Sequence, residues 1–232
     1  MGPHGDGDIE KVESESHRPI STVVFVIAMQ AEAQPLVNKF GLTETSDSPL
    51  GIDSVGTVPA SLITFASIQA LQPDILINAG TCGAFKVKGA NIGDVFLVSD
   101  VVFHDRRIPI PMFDLYGVGL RQAFSTPNLL KELNLKIGRL STGDSLDMST
   151  QDESLIISND ATLKDMEGAA VAYVAELLKV PVMFLKAVTD LIDGDKPAAE
   201  EFLHNLAVVT SALEETATKV INFIHGKTLS DL

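Results

Sequence analysis

The sequence holds a single cysteine, Cys82, no apolar run long enough to cross a bilayer, and no cluster of basic residues. A lone cysteine excludes an internal disulfide and suits a reducing compartment. A membrane-spanning helix needs about 20 consecutive apolar residues, so a membrane is not an expected partner. Lys and Arg number 17 against 31 Asp and Glu, a formal net charge of −14. Such a chain repels phosphate backbones, and nucleic acid is not expected either, whereas an uncharged small substrate stays open. No two histidines stand at zinc-ligand spacing, and neither a Walker loop nor a dinucleotide fingerprint occurs, so no metal or cofactor is expected.

What is present is an ordinary core-forming composition, with 45% hydrophobic residues in 232, enough for one α/β domain. Residues 1–20 carry Asp6, Asp8, Glu10, Glu13 and Glu15 and lack the apolar centre of a secretory signal. They read as a disordered acidic tail before a single domain over 21–232, with a cytoplasmic location expected. Thr22–Ile27, Asp74–Asn78, Asp94–Val98 and Val182–Val188 are short apolar runs, the pattern of strands buried on both faces. Helices are predicted at about 31–40, 55–71, 168–179 and 198–225. In the last, Phe202, Leu206, Val209, Leu213, Val220 and Ile224 recur at helical spacing ahead of Gly226. Strands alternating with helices imply an α/β three-layer sandwich around a central sheet, whose active residues lie beyond the carboxyl ends of strands.

Three carboxylates fall near such ends. Glu32 follows the first strand, Asp190 follows the run 182–188, and Glu167 precedes the small-residue run Gly168-Ala-Ala-Val-Ala. Each alone has an ordinary reading: a first-turn acid favoured by the helix dipole, a turn or cap Asp, and an exposed helical Glu. Together they suit cleavage of an N-ribosidic bond. That reaction needs a proton for the departing purine, an activated water, and a grip on the ribose hydroxyls, and carboxyl groups can fill all three roles. The proton donor must stay protonated near neutral pH, which burial achieves by raising its pKa. Asn78-Ala-Gly-Thr-Cys-Gly83 reads as a tight turn whose small residues admit a ligand. In Ser141-Thr-Gly-Asp144-Ser145, Asp144 reads as a turn residue, with an indirect role in the site as the lesser alternative. His104-Asp-Arg-Arg107 resembles a surface charge cluster.

The segments Ala28-Met-Gln-Ala-Glu32, Asn78–Gly83, Ser141–Asp144, Asp165-Met-Glu167 and Val188-Thr-Asp190 resemble, in the same order, those of the methylthioadenosine nucleosidases. These belong to the nucleoside phosphorylase superfamily, and the plant branch is the most similar. The resemblance covers about residues 21–229 and implies a nucleoside phosphorylase-like fold with a mixed central sheet. It also implies hydrolysis of 5′-methylthioadenosine to adenine and 5-methylthioribose, a step in methionine salvage. On it, Glu32 matches the acid that activates the attacking water, and Asp190 the acid that protonates adenine N7. Glu167 matches the carboxylate on the ribose hydroxyls, with Met166 under the sugar. Thr81, the backbone of Lys164, Asp165 and Met166, and Leu146 beside the base match pocket positions, and Val55 matches one near the 5′ group. Ile108 and Phe113 match a loop that closes the neighbouring subunit's pocket, which implies a homodimer.

Two departures from the family stand out. Gly83-Ala84 replaces the usual Gly-Gly. Before the Ser54-Val-Gly-Thr57 turn, the family carries roughly 25–30 more residues, enough for two or three strands of ordinary length. Here only the polar link Gly41–Ser54 remains; it reaches at most roughly 45 Å, so the chain can close, but the sheet is expected to keep an unpaired edge. Two alternatives therefore stay open: an impaired relative that only dimerises, and a purine nucleoside phosphorylase. A phosphorylase needs cations and glycine N–H groups around phosphate, and after the first strand this chain offers no cation before Lys39.

Overall fold

The computed structural model describes residues 18–43 and 54–232. The predicted tail therefore lies outside the described residues up to position 17, as does the link from 44 to 53. Arg18 already belongs to the fold through an ion pair with Asp74, and the Ile20 N–H donates to the Lys227 carbonyl at 2.8 Å.

Seven strands form one mixed sheet: β1 (Val23–Val26), β2 (Ile75–Ala84), β3 (Val95–Phe103), β4 (Arg121–Gln122), β5 (Lys136–Thr142), β6 (Leu163–Asp165) and β7 (Val182–Leu191). β1 runs parallel to β2, and β2 parallel to β7, while β3 meets β7 antiparallel. β3, β5 and β6 continue in parallel, and β6 returns antiparallel to the end of β2. β2, β6, β5, β3 and β7 thus hydrogen-bond in a closed circuit. β1 stands outside it and, among the described residues, has β2 as its one neighbour.

The helices are α1 (Gln30–Phe40), α2 (Thr57–Leu71), α3 (Asp114–Val118), α4 (Pro127–Leu133), α5 (Thr150–Ser158), α6 (Gly168–Leu177) and α7 (Ala198–Ile224). Two apolar cores flank the sheet, as a strand buried on both faces requires. Ala60 and Ile68 of α2 join Val171, Ala172 and Ala175 of α6 against Val24, Leu76 and Phe184. Across the sheet, Leu36 of α1, Leu129 of α4 and Val209, Leu213, Ala217, Val220 and Ile224 of α7 pack on Ile75, Ile77 and Leu185. The three-layer α/β sandwich expected from the sequence is the fold observed.

Two boundaries differ in a way that matters for the site. Asn78–Gly83 is not a turn but the second half of β2, held extended by β7 on one side and by β6 at its end. β7 likewise runs on to Leu191, so Asp190 sits within a strand rather than after one. The register between β2 and β7 slips at Cys82/Gly83, and such an irregularity re-aims the side chains beyond it.

Candidate active site

The ends of β1, β2, β6 and β7 surround a cavity of about 680 Å³. Its wall includes Glu32, Val55, Thr81, Leu146, Lys164, Asp165, Met166, Glu167 and Asp190, nine of the eleven residues expected from the sequence. Ile108 and Phe113 are not among them; they lie on the exposed loop between β3 and β4.

Glu32 is placed by the start of α1, one turn beyond β1, and is buried. Its Oε1 accepts from both the N–H and the hydroxyl of Thr81, each at 2.7 Å, and its Oε2 accepts from the Met29 N–H at 3.2 Å. Burial raises its pKa above the ordinary carboxylate value, while the Thr81 donors and the Lys186 ammonium pull against that rise. Asp190 enters from β7. Burial pushes its pKa up too, opposed by the Thr189 hydroxyl, which donates to Oδ1 at 2.8 Å, and by Lys164. The glycine at 83 serves this carboxylate: a Cβ there would stand 2.8 Å from Asp190 Oδ2 and 3.0 Å from Ile192.

Glu167 is not the exposed helical acid that its local sequence suggests. It is buried just before α6, and its Oε1 accepts from the Gly56 N–H at 3.0 Å. Burial and the neighbouring Asp165 carboxylate push it up to about 7. Asp165 faces away from this role, accepting from the Thr142 hydroxyl at 2.6 Å and the Gly168 N–H at 2.8 Å. Lys164 spends its ammonium on the carbonyls of Ser145 and Leu146, at 2.7 and 2.9 Å, and burial lowers its pKa.

One residue beneath the site was not singled out from the sequence. Lys186 of β7 is fully buried, with its Nζ 2.8 Å from Asp165 Oδ2. Burial alone would lower its pKa, but Asp165, Glu167 and Glu32 outweigh it and raise it. The signal was present: a lone lysine inside an apolar run buried on both faces must find a buried anion. His104-Asp-Arg-Arg107 is corrected as well. His104, just past the end of β3, is buried and shares a hydrogen bond of 3.1 Å with the Ser141 hydroxyl of β5. Asp105 accepts from the Asp144 N–H. Arg106 stacks over Phe103, 3.4 Å from its centroid, and Arg107 pairs with Asp152. Among the described residues, no group of His, Cys, Asp and Glu could hold a metal ion.

Chemically, the cavity gathers three buried carboxylates: Asp190, whose pKa burial raises, Glu32, which is supplied with donors by Thr81 and Met29, and Glu167 between them in sequence. The wall is otherwise largely apolar, the setting in which such charges act most strongly.

Known proteins match throughout. The family model of the phosphorylase superfamily matches residues 9–224. A 5′-methylthioadenosine nucleosidase of Arabidopsis thaliana is 77% identical over 267 aligned positions, which cover the whole of both chains. A 5′-methylthioadenosine/S-adenosylhomocysteine nucleosidase of the same plant is 58% identical over 255 positions, covering 97% of this chain and 98% of its own. The solved structure of Arabidopsis thaliana 5′-methylthioadenosine nucleosidase in apo form superposes with a TM-score of 0.90 at 80% identity, covering 93% of this chain and all of that one. An alignment of 267 positions against a chain of 232 residues leaves about 35 positions that this chain does not fill.

Proposed function

Because the chain belongs to the phosphorylase superfamily, and within it to the 5′-methylthioadenosine nucleosidases, we propose that it hydrolyses 5′-methylthioadenosine to adenine and 5-methylthioribose. It is an N-glycosyl hydrolase, and the product chemistry fits methionine salvage. The observation that carries the reading is the set of three buried carboxylates, Glu32, Glu167 and Asp190, around one cavity.

In this reading the bond between C1′ and N9 breaks as Asp190 gives its proton to adenine N7, so the purine departs neutral. The ribosyl group develops oxocarbenium character while Glu167 accepts from its hydroxyls. A water attacks C1′, and Glu32 takes the proton released as the new C–O bond forms. Asp190 then regains a proton and Glu32 loses one, which closes the cycle. The raised pKa of Asp190 supports the first step, and the Thr81 donors hold Glu32 in place for the second. Val55 and Met166 give the thio-sugar an apolar wall.

The site is completed by a second copy. The loop between β3 and β4 exposes Ile108, Met112, Phe113 and Leu115, and α2 exposes Leu62 and Phe65. Apolar area of this extent is costly in water and marks an interaction surface. Among the described residues no helix is long and apolar enough to cross a membrane, and a cytoplasmic homodimer accommodates both that fact and the composition.

The test is adenine release from 5′-methylthioadenosine by the purified chain, with and without inorganic phosphate. Release independent of phosphate is expected; strict dependence on phosphate would make the chain a phosphorylase. The unfilled positions and the single neighbour of β1 favour a second reading, an impaired relative that dimerises without turnover. Nucleoside binding without adenine release would establish it.

A further inference from the structure

Gly56 reaches Glu167 with its N–H at 3.0 Å, and it does so from φ 96°, ψ 166°, a region that glycine alone enters readily. It is also the residue that precedes α2, where helices ordinarily place a Ser, Thr, Asn or Asp whose own side chain caps the first turn. Glycine has no such side chain. The cap comes instead from 87 residues away: Asp144 accepts from the Thr57 N–H and from the Thr57 hydroxyl, each at 2.6 Å. A side chain at 56 would also be crowded, since its Cβ would stand 3.0 Å from Asp144 Oδ1. A remote carboxylate thus leaves position 56 free to be glycine and to aim its N–H into the site. Asp144 is itself tied down, its N–H donating to Asp105 Oδ2 at 2.7 Å. The next two carbonyls, of Ser145 and Leu146, are held by Lys164.

We propose that Asp144 is a positioning residue for the hydrolysis: by clamping Thr57 it fixes the Gly56 N–H on Glu167, and so sets the orientation in which Glu167 meets the ribose hydroxyls. It does not line the cavity, and the route proposed to the substrate runs through Gly56 and Glu167. The proposal rests on the reading of Glu167 as the ribose-binding carboxylate.

A capping residue of purely structural importance would change stability alone, so the test reads the site. Glu167 is faced by Asp165, Lys186 and Glu32, whereas Asp144 bonds to Thr57 and Asp105. Asp144→Ala should raise KM for 5′-methylthioadenosine about tenfold, the effect of losing a hydrogen bond to a charged group, with a smaller change in kcat. It should also move the ionisation of Glu167 in the kcat/KM profile to higher pH, because the charged form has lost a donor. Thr57→Val, which removes only the hydroxyl bond, should act in the same direction and more weakly. Asp144→Asn should restore much of the KM, since its amide oxygen still accepts from the Thr57 N–H. In a Glu167→Gln background, Asp144→Ala should add little. If Asp144→Ala does not fold, Thr57→Val and Asp144→Asn decide the matter by the same readouts. Wild-type KM and an unmoved profile in these variants, or full additivity with Glu167→Gln, would overturn the proposal while leaving Glu167 its role. An unchanged KM in Glu167→Gln itself would overturn the reading of Glu167 and the proposal with it.

Discussion

Lys186 Nζ lies 2.8 Å from Asp165 Oδ2, and both side chains are 1% exposed. The pair sits beneath the site, with Gly80 backed against the Lys186 ammonium and the Glu32 carboxylate together: a Cβ at position 80 would stand 3.5 Å from one and 3.4 Å from the other. One cation therefore offsets three anions, since Glu167 also feels it. Removing one partner of a buried pair strands the other, which costs about 3–5 kcal/mol. Lys186→Met should lower the stability by that order, and adding Asp165→Asn should recover part of the loss. Urea unfolding of the two variants checks it; a single variant as stable as the wild type would show that the pair is not holding the site together.

Asp190→Asn and Glu32→Gln should each lower kcat by about a hundredfold or more while leaving the fold intact, the usual scale for losing a general acid or base. In the wild type, activity that depends on protonated Asp190 falls as pH rises through its elevated pKa. That alkaline limb should vanish in Asp190→Asn. Turnover near that of the wild type in either variant would remove the corresponding assignment.

Much of this was legible in the sequence because the signals were local. Four buried strands announced themselves as apolar runs, and α7 through its spaced Val209, Leu213, Val220 and Ile224. The carboxylates were visible as residues near strand ends, yet neither position nor pattern distinguished a buried Glu167 from an exposed one; the ordered set of family motifs did. What stayed hidden depends on contacts distant in sequence. The extended conformation of Asn78–Gly83 is imposed by β7 and β6, whose partners lie more than 75 positions away, against the turn preference of its glycines. The cap from Asp144 to Thr57 spans 87 positions, and no helix-start rule anticipates a cap supplied from so far along the chain.

Stability should fall as pH rises from about 5 to about 7. Glu167 ionises at about 7 in the folded protein, against an ordinary value of 4.5. Between those values the folded chain keeps a proton that the unfolded chain has released. Its stabilising effect is complete below about 4.5 and gone above about 7, a slope of about 1.4 kcal/mol per pH unit for one full proton. Glu32 and Asp190, also raised by burial, act with the same sign, while His104, lowered by burial, acts against them. Glu167→Gln should flatten the slope. Denaturant midpoints measured across this range for both proteins test it, and equal slopes would mean that Glu167 titrates normally.

Phe113→Ser should weaken self-association and raise KM together. Phe113 stands 39% exposed on a loop that carries Pro109 and Pro111 just before it, outside the cavity of its own chain. A composite site predicts that losing the dimer contact also opens the pocket across the interface. Light scattering alongside steady-state kinetics would show it. A wild-type KM in a variant that runs as a monomer would mean that each chain's site is complete by itself.

Restoring a family-length segment between Gly41 and Ser54 should stabilise the chain and raise its activity. β1 has one neighbour among the described residues, and its sequence, Val23-Val-Phe-Val26, has none of the charges or prolines that protect an edge strand. Strands laid beside it would pair that edge. A gain of about 2 kcal/mol would raise Tm by roughly 4–8 °C in a domain of this size. The activity gain follows from the same geometry. Glu32 hangs on the first turn of α1, which follows β1 at one end and runs at the other toward the segment where the family resemblance places the missing residues. Movement of that helix by about 1 Å would carry the base away from its water, a displacement that can cost about a hundredfold in rate. Melting curves and adenine release for the two chains, side by side, decide the question. Equal Tm and equal kcat would mean that β1 needs no second neighbour and that α1 is already held firmly enough for catalysis.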